Sequence, residues 1–369
     1  MSQTPTLKEI KQALQGLQLE SVVRDLVPDG RRVGGCWSAR CPWREDRKGG
    51  SFVVWLGGTA KGAWKDYATG DKGDLIDLIC RVLNLDKPGA ARWGMERLGW
   101  GQMSDQDRKN MRRRIKANAT REKREADKKR AEAIAAARRR WAKGQAIEGT
   151  VVERYLHSRG IDTSRIPGLL KFCRYLPAQE WWYGAVFEER EVNGELTRVK
   201  VKPGPRFPVM MSRMSAADGC LQALHYTFLK PDGTGKADVP DPTKAKLMWP
   251  QTQGSIIWVS RGGGPEYAGP CVVGEGIEDA GTAALACPQL MTAAAGSLSG
   301  LLHMPTQLPA RARGKITGWI ILKDNDWGKP QAAALFDRAI KRLEDTGLPV
   351  VAVSSDNGKD FNDQLRGVS

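Results

Sequence analysis

The sequence predicts an α/β protein that closes in a parallel sheet, and three observations carry that prediction. From Pro270 onward, apolar runs of strand length alternate with helical patterns: CVVG, IEDAGTAALA, LMTAAAG, ITGWIIL, PQAAALFDRAIKRLEDTG and LPVVAV. Strands separated by helices imply parallel pairing. ITGWIIL is almost continuously hydrophobic, as a strand buried on both faces of a parallel sheet must be. Before Pro270, turns such as PDGTG (231–235) and VPDP (239–242) separate short strand candidates, which fits a smaller α+β module.

Composition divides the chain into four segments. Residues 1–103 are rich in Gly and Trp and close with GDLIDLICRVLNL, whose Leu75, Ile76, Leu78, Ile79, Val82 and Leu83 form a helical stripe. Residues 104–146 are dominated by Ala, Lys, Arg and Glu; from Ser104 to Lys143 there are sixteen Lys/Arg against six Asp/Glu. A long solvated helix or a partly disordered linker is expected there. Residues 147–269 begin with a helix, VVERYLHSRGI, stopped by Gly160, and continue as the α+β module. Residues 270–369 hold the alternating block, and no internal repeat is present.

At 369 residues the chain suffices for two or three domains, and a net charge of +16 favours a polyanionic partner. Nucleic acid is the first expectation and an acidic membrane surface the second. No apolar run approaches the ~18 residues of a membrane span, and MSQTPTLKEIKQAL lacks the profile of a signal peptide. Seven scattered cysteines without CxxC spacing fit a reducing, cytoplasmic setting.

The last block places acidic residues where three strands end. CVVG leads to Glu275, with Asp279 one helical turn on; ITGWIIL leads to Asp324 and Asp326; LPVVAV is followed by Asp360, Asn362 and Asp363. Parallel α/β sheets bind ligands outside the carboxyl ends of their strands. Taken singly, each aspartate is more simply a helix cap or a solvated turn residue. Delivered together, like charges are costly unless a cation or proton intervenes. A hard divalent cation held by few carboxylates and substrate phosphates answers that cost.

GEGIEDA (274–280), DND (324–326) and GKDFND (358–363) resemble the acidic motifs of the Toprim domain of bacterial primases, topoisomerases and related nucleases. The resemblance implies that Glu275, Asp324 and Asp326 form the catalytic metal site, with Asp279, Asp360 and Asn362 at further metal-holding positions. Asn362 stands where replicative primases often have Asp, a departure that weakens the case for a third metal. RYLHSRGI, PRFPVMMSRM and LQALHYTFLKPDGTGKADVPDPTKAKLMWP resemble the segment preceding Toprim in phage- and plasmid-type primases. There a small basic subdomain faces the acidic one across a cleft and grips template and nucleotide phosphates. Candidates for that role are Arg206, Lys230, Lys236, Lys244 and Lys246, with His225 and Tyr226 on the adjacent strand; Lys244 and Lys246 match the family pattern best.

GCWSARCPWREDRKGGSFVVWLGGTAKGAWKDYATGDKGDLIDLI resembles the zinc-ribbon domain at the head of bacterial primases, with most ligands missing. Only Cys41 aligns, with Cys36 nearby; Arg44 stands where His is common, and the segment from Trp64 to Thr69 replaces the CxxC pair. Structural zinc needs four N/S ligands, so zinc is not expected. Most of Trp37, Phe52, Trp55, Trp64 and Tyr67 are expected to be core, as is Cys80, and any ring left exposed would stack on single-stranded DNA.

The expected function is that of a DNA primase. It would bind single-stranded DNA template, condense nucleoside triphosphates into a short RNA primer with Mg²⁺ or Mn²⁺, and release pyrophosphate. Glu275 serves there as metal ligand or as general base. No GxxxxGK[ST] motif occurs, so a helicase would be a separate chain. A Toprim metal-dependent nuclease and a non-catalytic single-stranded DNA-binding accessory protein are the alternatives.

Overall fold

Phe52 and Val54 are buried while Val53 and Trp55 are half-buried, the period-two alternation of a strand with one face on a core. The computed structural model describes all residues except 1–4, 47–49, 101–104, 193–194, 265, 307–314, 326–329 and 368–369. Two compact units result, Met1–Lys129 and Arg130–Ser369.

In the first unit, helices α1 (Leu7–Leu17) and α2 (Leu19–Leu26) precede a five-stranded antiparallel sheet. Its strands are β1 (Arg31–Val33), β2 (Cys36–Ala39), β3 (Phe52–Trp55), β4 (Trp64–Asp66) and β5 (Lys72–Gly73). Helices α3 (Leu75–Leu83) and α4 (Lys87–Arg97) follow. Reciprocal capping boxes, Thr6 with Glu9 and Asp74 with Asp77, start α1 and α3. Trp37, Phe52 and Trp64 are buried as expected, and Trp43, Phe52 and Trp64 pack with ring centroids 5.0–5.6 Å apart. Trp55 is half-buried, Cys80 packs against the core from its edge, and Tyr67 is exposed.

The turn after Cys41 is closed by ion pairs. Arg44 Nε and Nη2 donate to the fully buried Asp66 carboxylate at 2.8 and 3.0 Å, and Nη2 also reaches Ser51 Oγ at 3.0 Å and Asp46 at 3.3 Å. The guanidinium holds the Asp66 carboxyl down at about 2, whereas burial and the Asp66 charge push the Cys41 thiol up. Because Asp66 is depressed below its ordinary 3.8, its contribution to stability is complete above that pH and fades as pH falls toward 2. Arg44→Ala strands that carboxylate, so the N-terminal unit is expected to melt about 10 °C lower near pH 7. Thermal unfolding beside Asp66→Asn and the double variant checks this.

Helix α5 (Asp105–Ala142) spans 38 residues as the basic composition suggested. Met111 and Ile115 pack on the core of the first unit, and Ala137 and Trp141 on that of the second. No helix among the described residues is long and apolar enough to cross a membrane.

In the second unit, α6 (Val151–Ser158) and α7 (Pro167–Phe172) precede β6 (Cys173–Glu180) and a separate hairpin of β7 (Val186–Val192) and β8 (Glu195–Lys202). Then come β9 (Arg206–Ala216), β10 (Leu221–Phe228), β11 (Lys246–Trp249) and β12 (Ser255–Arg261). The C-terminal block runs β13 (Ala268–Gly274), α8 (Ile277–Ala286), β14 (Met291–Ala294), α9 (Leu298–His303), β15 (Lys315–Lys323), α10 (Pro330–Glu344), β16 (Val350–Ser354) and α11 (Phe361–Arg366). One sheet of nine strands joins them in the order β11-β10-β9-β12-β14-β13-β15-β16, with β6 also on β9. The four strands β14-β13-β15-β16 are mutually parallel, and the strands before them pair antiparallel. The basic α+β segment and the C-terminal α/β segment therefore share one continuous sheet.

Candidate active site

The sequence Val272-Val273-Gly274-Glu275-Gly276 carries a buried strand straight into a helix, and its glycines lie in tight quarters. A Cβ on Gly274 would lie 3.1 Å from Asp279 Cβ. A Cβ on Gly276 would lie 3.1 Å from carboxylate oxygens of both Asp279 and Glu278. Past the end of β14, Gly296 N–H donates to Glu275 O at 2.9 Å. Glu275 thus sits half-buried on fixed backbone at the carboxyl edge of the sheet. The first turn of α8 adds Glu278 and Asp279, each 6% exposed.

Two further strand ends converge on this edge. Asp324 follows β15, and the next residue, Asn325, ties its loop to the one after β16. Asn325 N–H donates to Lys359 O at 2.8 Å, and its Nδ2 donates to Ser355 Oγ, Ser355 O and Gly358 O at 2.9–3.1 Å. Asp326 lies outside the described residues. Asp360 caps α11, accepting from Asp363 N–H at 2.8 Å. Asn362 is fully buried; its N–H donates to Asp279 Oδ1 at 3.2 Å, and its Nδ2 donates to Arg159 O and Thr282 Oγ1 at 2.8 and 3.1 Å. Its Oδ1 is buried without a hydrogen-bond partner among the described residues.

Burial, then the charges of Asp360, Asp324 and Glu278, push the Asp279 carboxyl up to about 7. The structure therefore brings Glu275, Asp279, Asp324 and Asp360 to one sheet edge, at a cost that a cation would relieve. Oxygen donors of this kind suit a hard divalent ion, and the buried acceptor on Asn362 is of the same type. Among the described residues no three His, Cys, Asp or Glu side chains form a group, or cage, that could by itself hold a metal ion. An open site completed by water and phosphate needs no such cage.

Glu278 is the residue that sequence reading missed. Its Oε1 is 2.9 Å from Lys236 Nζ and also accepts from Tyr155 Oη. Burial opposes its charge, but Lys236 and Lys246 hold the carboxyl well below the ordinary range. The same burial, reinforced by Lys246, lowers His225 to about 3, so its ring is neutral.

Of the basic candidates, only Lys236 and Lys246 are shown acting on the acidic turn. Lys230 pairs with Asp238 at 3.0 Å, and Arg206 Nη2 donates to Ala178 O at 2.9 Å. Lys244 is exposed, 5.3 Å from the Tyr183 ring centroid. His225 and Tyr226 lie on β10, the strand beside Lys246, and are both 3% exposed within the interior.

The Toprim domain family matches residues 271–369, and a domain of unknown function (DUF7146) matches residues 131–259. No curated protein matches the chain. Similar solved structures include the Aquifex aeolicus primase with its zinc-binding and RNA polymerase domains. It is 15% identical at a TM-score of 0.34, over 100% of this chain and 83% of that one. A DNA primase domain from Pseudomonas aeruginosa is 15% identical at a TM-score of 0.38, over 63% and 74% of the two chains. The RNA polymerase domain of Mycobacterium tuberculosis primase DnaG is 16% identical at 0.36, over 65% and 82%. The C-terminal segment thus matches the Toprim domain family, and it lies within a mixed α/β fold with parallel strands.

Proposed function

We propose that this Toprim-bearing chain is a DNA primase, joining nucleoside triphosphates into short RNA primers on single-stranded DNA. The observation that carries this reading is the crowding of Asp279, Asp324 and Asp360 at the sheet edge where Glu275 follows β13, with the charges of Lys236 and Lys246 bearing on Glu278 in the first turn of α8.

Glu275 and Asp324, with Asp326, would hold Mg²⁺ or Mn²⁺, supported by Asp279, Asp360 and Asn362. When bound, such ions activate a 3′-hydroxyl and neutralise charge on the departing pyrophosphate. The chain's own residues do the rest. Glu275 stands rigidly at the strand end, as ligand or as acceptor of the hydroxyl proton. Lys236 and Lys246, fixed by the buried Glu278, supply positive charge for the triphosphate. The hydroxyl oxygen bonds to the α-phosphorus of the incoming nucleotide, its proton leaves to a base, and pyrophosphate departs. The basic surface positions the template through its phosphates, and a helicase acts as a separate partner.

Incubation with single-stranded DNA, Mg²⁺ and ribonucleotides labelled at the α-phosphate is expected to give short labelled RNA. Degraded DNA would point to a nuclease, and binding without product to an accessory protein.

The Asp279 charge sets a pH dependence. A carboxyl raised from its ordinary 3.8 to about 7 contributes stability below the lower value and loses it as pH rises toward 7. A cation must displace that proton, so affinity for Mn²⁺ is expected to climb up to about tenfold per unit as pH approaches 7, then level off. Titration calorimetry between pH 6 and 8 checks this, and Asp279→Asn should flatten the slope.

A further inference from the structure

Trp182 and Tyr183 are adjacent and exposed, at 52% and 50%, on a short turn between β6 and β7. The turn is firmly anchored. Buried Trp181 donates from Nε1 to Lys244 O at 2.8 Å and from its N–H to Pro205 O at 2.7 Å. Gly204 approaches so closely that a Cβ there would lie 2.1 Å from Trp181 O.

Cations surround the rings. Lys200 Nζ lies 5.1 Å from the Trp182 centroid, Lys244 Nζ 5.3 Å from that of Tyr183, and the Arg198 guanidinium 4.4 Å from that of Phe187. Phe187 in turn lies 5.0 Å from Trp182. Residues 198–206, RVKVKPGPR, hold four basic residues and no acid. Glu180 pairs with Lys200 at 2.8 Å and Glu188 with Arg190 at 2.9 Å, and Glu189 stands opposite Arg198 in the hairpin register, while Lys202 and Lys244 are exposed.

We propose that Trp182 and Tyr183 form a stacking platform for single-stranded nucleic acid, with Arg198, Lys202 and Lys244 taking its phosphates. Exposed aromatic faces interleaved with cations match a strand of unpaired bases, because every base has a π-face and every link a negative charge. An apolar protein partner would gain nothing from those charges. Lys244 is two residues from Lys246, at most ~7 Å along the chain, and Lys246 acts on Glu278 at the acidic turn. The proposal rests on the reading of this chain as acting on a single-stranded template.

Two measurements on the full chain test it. Fluorescence anisotropy with a labelled oligothymidylate should show binding weakened about tenfold or more in Trp182→Ala/Tyr183→Ala, and near wild type in Trp182→Phe/Tyr183→Phe. Crosslinking to an oligonucleotide carrying 5-iodouracil should label the peptide containing Trp182 and Tyr183. Affinity within twofold of wild type in the alanine double variant, or crosslinks confined to other peptides, overturns the platform and leaves the surface to a protein partner. Primer synthesis by the alanine double variant separates the two readings: synthesis recovered at saturating template marks a platform defect alone, whereas no primer from wild type under the same conditions marks failure of the priming reading.

Discussion

Asp324→Ala is expected to lower primer synthesis on the order of a thousandfold or more, with the melting temperature within a few degrees of wild type. The large loss follows from removing a metal-site carboxylate, since charge stabilisation at the reacting phosphate is where such a site does most of its chemistry. The small structural effect follows from position: Asp324 lies at the carboxyl end of β15 among like charges, so removing it relieves repulsion. Its charge is also among those that push Asp279 up. The variant should therefore bring the Asp279 carboxyl back toward its ordinary range, a shift readable by carboxyl-carbon NMR. Retained synthesis in a well-folded Asp324→Ala would remove this residue from the reaction.

The second large effect is expected at Lys236. Glu278 is 7% exposed at its side chain, and Lys236, less than one-third exposed, is its nearest cation at 2.9 Å. Replacing Lys236 with Met leaves an ionised group in the interior with only Tyr155 and the more distant Lys246. Breaking a buried pair from one side costs about 3–5 kcal/mol, and the remaining partners place this case near the lower end. Lys236→Met/Glu278→Gln removes both charges and should recover most of that stability while primer synthesis stays low. Urea unfolding of the single and double variants measures the coupling. Equal stability of Lys236→Met and wild type would mean that the pair does not hold this turn.

Much of the C-terminal fold was legible because its signals are local. IEDAGTAALA reads as a helix and is one, ITGWIIL forms the buried core of β15, and Gly160 ends α6 with φ +74°. The short α9, written LSGLLH, went unread because six residues offer too little periodicity. Glu278 was overlooked for a different reason. Motif spacing selects Glu275 and Asp279, whereas Glu278 matters because α8 is buried through almost its whole length. That all-round apolar pattern was visible, and an acid within it demands a cation. The identity of the cation was not visible, since Lys236 reaches it from 42 residues earlier in the chain. His225 and Tyr226 lie on a strand whose both faces are covered, a fact that depends on neighbours no local pattern names. Likewise Arg44 and Asp66 meet only because β3 and β4 pair between them.

The most direct measurement is the fate of the γ-phosphate during synthesis. The nucleotide that begins a primer gives up only the proton of its 3′-hydroxyl, so its triphosphate stays on the product. With single-stranded DNA, Mg²⁺ and all four ribonucleotides γ-labelled, we expect label in short RNA, lost on chelation and in Asp324→Ala. Label recovered only in pyrophosphate or phosphate, with none in any oligonucleotide, would contradict primer synthesis by this chain.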